Sequence, residues 1–351
     1  MEKQNVRDVN VELLRVIACL IVIGTHVKLN DLPSVMPGNQ IDISRTVIGG
    51  FLGEGVTIFL VITGFFFLEN KSFCKLVKKT VKTIIVPTLL YLIVSQIFCG
   101  WITGTKTLME CVRNPEIQWN EFSSLLSWSF GKLPMTGHLW YIMMHIQIVL
   151  WFPLIRLLRG EAENVNRIRR YIMGVSIIAV LLIDLQKIII LPLGKVGGYT
   201  IIPTYILLIL TGYELYERRE AIQSNKKYGF IGIVMYFLAH AALTFLQIML
   251  YKRDYNTGHV FSWDSSFAII GAVGLSVFCL SLSIERRMTQ KIIRFLGKYT
   301  FPVYLVHLLV IRKANSSLIW KKLFALSERG IFGELCYTVI AIFYVFLISL
   351  V

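Results

Sequence analysis

The chain has 351 residues, 55% hydrophobic and 16% charged, with a mean hydropathy of +0.65 and a formal net charge of +15. A soluble globule must face water over its whole surface, and so apolar a composition excludes one. The basic clusters "KLVKKTVK" and "RIRR" sit directly against apolar runs, so the charge reads as a topology signal and not as a nucleic-acid surface.

Ten apolar runs follow one another, over residues 11–29, 46–68, 83–103, 138–158, 171–193, 199–216, 228–250, 264–284, 299–311 and 331–351. Each is close to the ~20 residues that a helix needs to cross about 30 Å of hydrocarbon, although the ninth is short. None shows the period-2 alternation of a barrel strand. The expected fold is all-α: a polytopic integral membrane helix bundle of about ten transmembrane helices. No linker or soluble appendage interrupts it, so residues 1–351 read as a single domain. With the N-terminus cytoplasmic, segments 1–15, 71–82, 156–170, 218–227 and 286–298 lie inside and hold 22 of the 36 Lys and Arg residues. That excess is what orients a helical membrane protein. No small-residue cleavage site follows the first run, which therefore reads as a retained helix.

The first run, "VELLRVIACLIVIGTH", carries three ionisable groups. Such groups are expensive in hydrocarbon, about 2.5–3.5 kcal/mol for a central arginine on insertion scales. Glu12 stands three residues before Arg15, close enough to pair with it. Arg15 and His26 are eleven residues apart, which returns them to nearly one face, about 16 Å apart along the axis. One polar stripe thus runs from the inner rim toward the outer half. Read singly, Arg15 could snorkel to the interface, Glu12 could neutralise it, and His26 could lie among outer headgroups with Lys28.

In the second run, Glu54 lies about two turns in, at the depth of His26, and is a candidate to orient that imidazole; if the span starts later, it is a loop carboxylate. Thr63 can serve a substrate or satisfy its own helix. Before the third run, Lys78, Lys79 and Lys82 are either inner-face charge or anion anchors. The fourth opens with His138, Trp140 and Tyr141, a pattern also made by interfacial aromatic belts. Asp184, Gln186 and Lys187 deepen one end of the fifth, where Asp184 and Lys187 can neutralise each other. Tyr304 and His307 lie three apart on the ninth. His240 and His259 carry no pattern. Neither HxxxH nor HExxH occurs, and His138 with His145 lacks a third ligand, so no metal is expected. The six cysteines form neither a disulfide framework nor a CxxC motif, and no P-loop is present.

These residues resemble the membrane-bound acyltransferase-3 family, whose first helix carries an acidic residue, an arginine three later, and a histidine after ten more. Glu12, Arg15 and His26 fill those places, with Glu where Asp is usual. "GVTIFLVITGFFF" is similar to the second-helix Ser-Gly-Phe pattern, with Thr63, Gly64 and Phe65. "KKTVKTIIVP" stands where an Arg-x-x-Arg pair is common. Lys79 and Lys82 keep the spacing without the bidentate fork, and Pro87 is displaced downstream. "GHLWYI" and "YTFPVYLVH" match the fourth-helix and late-helix signatures.

The resemblance implies an enzyme of a bacterial plasma membrane. It would move an acyl group, often acetyl from acetyl-CoA, onto a hydroxyl of a surface polysaccharide or its lipid-linked precursor, without a metal. His26, Arg15 and Glu12 are then the catalytic group, with His26 the general base. Lys78, Lys79, Lys82, Thr63 and Gly64 serve the acyl-CoA, with Arg286, Arg287 and Lys291 as further anchors. Glu54, His138, Trp140, Tyr141, Tyr304 and His307 face the acceptor. The partners implied are acyl-CoA, the acceptor and the bilayer, with no nucleic acid; a homodimer stays open. A transporter or flippase is the competing class, although no internal repeat or paired broken helices are evident. A non-catalytic sensor is the third.

Overall fold

The computed structural model describes residues 8–31, 43–67, 72–114, 137–189, 201–251 and 264–350; His259 and the side chains of Lys28 and Lys187 lie outside what it describes. Every regular element among the described residues is helical. The helices that position the site are α1 (Val9–Asp31), α2 (Ile43–Gly50), α3 (Gly55–Phe67), α4 (Phe73–Thr80), α5 (Val86–Ile97), α6 (Trp140–Ile155), α7 (Glu163–Ile189), α8 (Ile201–Glu217), α9 (Lys226–Tyr251), α10 (Ser266–Ser281), α11 (Arg287–Asn315) and α12 (Gly330–Leu350).

Six candidate spans emerge among the described residues: Val9–Val27, Ile43–Phe66, Phe73–Ile97, Gly137–Leu158, Lys226–Met249 and Gly330–Leu350. The described parts of the other four expected runs fall largely on α7, α8, α10 and α11. Helix α10 is apolar but only 16 residues long. Helix α11 carries Arg287, Lys291, Arg294 and Lys298 before its apolar stretch and Arg312 and Lys313 after it.

Helix α1 is the axis of the bundle. Val11, Leu14 and Ala18 pack into one apolar cluster with α3, α8 and α10. Val16, Cys19, Ile23 and Val27 join a second with α11 and α12, and Val22 a third with Tyr91, Leu139 and Tyr304. The outer helices instead present apolar residues outward, such as Leu150 and Leu154 on α6, Leu182 on α7 and Leu238 on α9, a surface that hydrocarbon solvates. Helix α11 runs parallel to α1. Glu12 lies against Gly297, Cys19 Sγ approaches the Thr300 carbonyl at 3.7 Å, and the His26 and His307 rings are 5.0 Å apart. Helix α3 runs the other way, with Gly55 pressed on the Ala18–Val22 turn.

Two spans depart from a continuous helix. The second breaks between α2 and α3 at "FLGE", where flanking glycines weaken the helix. The third stays helical through a single π turn at Val81–Ile85, with the Val86 amide donating to Val81 O. Pro87 explains the π turn: a proline removes one helix donor and its ring crowds the carbonyl a turn before.

Close crossings use glycine in place of side chains. A Cβ on Gly64 would overlap the Ile209 carbonyl, and one on Gly212 the Val61 carbonyl, so α3 and α8 touch backbone to backbone. Gly64, expected beside the acyl-CoA, is a packing residue at this crossing. Asp184 Oδ2 accepts the Ser266 amide at 2.6 Å, at the N-terminus of α10. Gly64→Leu is expected to lower the thermal unfolding midpoint in detergent, since overpacking costs about 1–3 kcal/mol. A midpoint equal to the parent's would contradict the crossing.

Candidate functional site

Glu12 and Arg15, one turn apart on α1, pair at 2.7 Å, the carboxylate buried and the guanidinium partly exposed. The Arg15 charge acts on Tyr141 of α6, whose hydroxyl is hydrogen-bonded with that of Thr63. Thr63 also donates to Phe59 O of its own helix at 2.8 Å. The Tyr141 ring meets Phe59 and Tyr304, both with centroids 5.9 Å away. Tyr304 in turn donates its hydroxyl hydrogen bond to the His138 carbonyl. Thr63, Tyr141, Tyr304 and His138 thus form a column of contacts, and the charge of Arg15 acts on its Tyr141 end.

At the top of the column three imidazoles converge from three helical segments. His26 comes from α1, His138 from the Gly137–Leu139 turn that opens the fourth span, and His307 from α11. Ring centroids are 5.0 Å apart for His26 and His307, 5.1 Å for His138 and His307, and 6.3 Å for His26 and His138. Tyr304 and Tyr91 close the cluster against His138, at 5.2 and 5.8 Å. Tyr304 and His307 share a face of α11 because they lie three apart.

Two of the three rings have their tautomers set by backbone. His138 Nε2 lies 3.2 Å from Leu305 O, and His307 Nδ1 lies 2.6 Å from Tyr304 O. A carbonyl only accepts, so each of those nitrogens carries a proton. His138 Nδ1 and His307 Nε2, both buried and without a hydrogen-bond partner among the described residues, are left as bare lone pairs. His26 is the partly exposed member. Such a cluster can accept protons from hydroxyl groups. Among the described residues, no group of three or more His, Cys, Asp or Glu has the geometry of a metal site.

The remaining expected residues fall elsewhere. Lys78, Lys79 and Lys82 are exposed on α4 and the π turn. Phe73 of α4 stacks on Phe152, far along α6 from His138, so these lysines occupy the end of the bundle where Glu12 and Arg15 lie. Arg286, Arg287 and Lys291 are exposed at the start of α11, near the same end. Trp140 packs edge-on against Tyr141 at 6.5 Å. Glu54 does not reach His26: its Oε2 lies 3.2 Å from His240 Nε2, both side chains fully buried.

Four residues were missed by sequence reasoning. His240 takes Glu54, and nothing in its own run signals a partner so distant in the chain. Tyr91 packs on His138, and Arg312, five residues after His307, acts electrostatically on both. Arg294 is half-buried, its Nε without a hydrogen-bond partner among the described residues. It lies three before Gly297, which touches Glu12; that spacing was the available signal.

A family model described as an acyltransferase domain matches residues 8–351, and the chain belongs to that acyltransferase-3 family. Neither a curated protein nor a solved structure matches it. The protein is thus a membrane acyltransferase with several apolar helices of spanning length.

Nitrogen-15 spectra of histidine-labelled protein in nanodiscs are expected to show His138 protonated at Nε2 and His307 at Nδ1. The opposite tautomer at either ring would contradict the backbone hydrogen bonds described above.

Proposed function

We propose that this acyltransferase moves an acyl group, acetyl from acetyl-CoA, out of the cytoplasm and onto a hydroxyl of a cell-surface polysaccharide or its lipid-linked precursor, with His26 as general base. The observation that carries the reading is the convergence of three imidazoles near one end of α1, with Tyr304 and Tyr141 below them and Arg15 toward the other end of the helix. A thioester donor is made inside and a surface hydroxyl lies outside, so the chemistry needs a passage of this kind.

The excess of Lys and Arg supports a cytoplasmic Glu12 end of α1. There Lys78, Lys79, Lys82, Arg286, Arg287, Lys291 and the half-buried Arg294 supply a cationic floor for the CoA phosphates. Arg15 and His26 stand about 16 Å apart along α1, of the order of a pantetheine arm's length. Tyr141, Thr63 and Tyr304 offer hydroxyls along the way. At the top, the acceptor oxygen attacks the thioester carbonyl while its proton passes to a His26 nitrogen, since neutral imidazole accepts a proton near neutral pH. The new C–O bond forms as the C–S bond breaks. His26 then returns the proton to the thiolate, giving an ester and CoA thiol. The bare nitrogens His138 Nδ1 and His307 Nε2 accept hydrogen bonds from the incoming acceptor.

Membranes given radiolabelled acetyl-CoA test this. His26→Ala is expected to lose label transfer to surface glycan by about 10²–10⁴-fold, the usual worth of a general base, while the protein stays folded. Unchanged transfer would remove His26 from the reaction. The double change Lys79→Gln and Lys82→Gln is expected to raise KM for acetyl-CoA and to spare kcat.

A further inference from the structure

The break in the second span has a consequence beyond its own fold. A gap in a helix inside hydrocarbon leaves carbonyls without amide partners, and each must be satisfied by something else in the protein. Three successive carbonyls receive side-chain donors here. His240 Nδ1 donates to Gly50 O at 2.6 Å and the Tyr236 hydroxyl to Phe51 O at 3.2 Å, while the Thr25 hydroxyl lies between Leu52 O and Ile21 O of its own helix, 3.0 Å from the latter, and shares its one hydrogen between them. The first two donors come from α9 and the third from α1, on the residue beside His26.

Packing follows the same division. The His240 ring lies 4.5 Å from Tyr236 and 5.2 Å from Phe51, centroid to centroid. On the other flank, Leu52 fills the space beside Gly24, where a Cβ would meet it, and Gly55 sits on the Ala18–Val22 turn. The segment between α2 and α3 is thus a bridge between α9 and the turn of α1 that carries His26.

Glu54 and His240 lock the α9 side of the bridge. Both are fully buried, and the Nε2–Oε2 separation is 3.2 Å. The approach lacks the alignment of a hydrogen bond and is an ion-pair contact. Nδ1 must hold a proton, because Gly50 O only accepts. Nε2 faces the carboxylate across that contact. Tyr236 is the other titratable side chain beside Glu54.

We propose that Glu54, His240 and Tyr236 are positioning residues for His26: they fix the break in the second span, and the break fixes the outer turn of α1 through Leu52 O and Thr25. The proposal rests on the reading of His26 as the base. It gives Glu54 a role that no direct contact with the imidazole provides.

Glu54→Ala, Glu54→Gln, His240→Phe and Thr25→Val separate the steps, measured by acetyl-transfer kcat, KM for acetyl-CoA, and hydrogen exchange in nanodiscs. Glu54→Ala and His240→Phe are expected to lower kcat about 100-fold, the loss that a misplacement of about 1 Å brings, with KM for acetyl-CoA unchanged. Thr25→Val should do the same with the α9 contacts intact, and it serves where an α9-side variant fails to fold. Glu54→Gln should recover most of the rate, because its amide N–H can donate to Nε2 and keeps the side chain in place. Exchange in Glu54→Ala should rise in residues 50–55 and also in residues 22–28. An unchanged kcat in Glu54→Ala or Thr25→Val, or exchange confined to residues 50–55, would overturn the proposal. If the parent protein moves no acetyl group, the base reading fails instead, and the exchange pattern still decides whether the bridge couples α9 to α1.

Discussion

Hydrocarbon imposes one condition on every polar side chain in this bundle: it must find a partner inside the protein, and backbone carbonyls are the partners most often at hand. His138 donates to Leu305 O, His307 to Tyr304 O, Tyr304 to His138 O and His240 to Gly50 O. Each imidazole bonded in this way spends one nitrogen on a carbonyl and has the other left, set against Glu54 in His240 and without a hydrogen-bond partner among the described residues in His138 and His307. The bonds that make the rings tolerable in the interior are therefore also the bonds that fix their tautomers. In a soluble enzyme, water could do the first job and leave the tautomer unspecified. Here both are settled at once.

The same condition explains why the first helix carries the polar stripe. Helix α1 is packed against α3, α10, α11 and α12, so Glu12 is buried and Arg15 and His26 are largely enclosed by protein. The peripheral helices α6, α7 and α9 expose leucines and phenylalanines; away from their charged first turns, His240 turns inward and Asp184 caps a neighbouring helix. A passage through the membrane is best built along the most enclosed helix, where both walls can be protein.

Much of this was legible in the sequence, and the limit has a physical cause. Spacing on one helix is visible: Glu12 with Arg15, Arg15 with His26, and Tyr304 with His307 all follow from about 100° per residue. The segment "GHLWYI" shows a polar start to an apolar run, although spacing alone does not say that His138 would meet His307. Pairing between helices leaves no period in the sequence. Glu54 sits at the expected depth, yet its carboxylate is taken by His240, far along the chain, and Asp184 accepts an amide at the start of α10. Averaged hydropathy also runs straight through "GGFLGEG", so the second span reads as continuous where the backbone breaks. Gly64 stands in a motif that suggests a ligand, but its missing side chain is used by α8.

The most direct measurement is a map of the protein in lipid nanodiscs with a non-hydrolysable acetyl-CoA analogue. The expected result is the nucleotide at the Lys79 and Arg294 end, the pantetheine arm passing Arg15 and Tyr141, and the acetyl group in contact with His26. An analogue bound away from this column, or a His26 ring with no passage to the Arg15 end, would contradict the proposed mechanism.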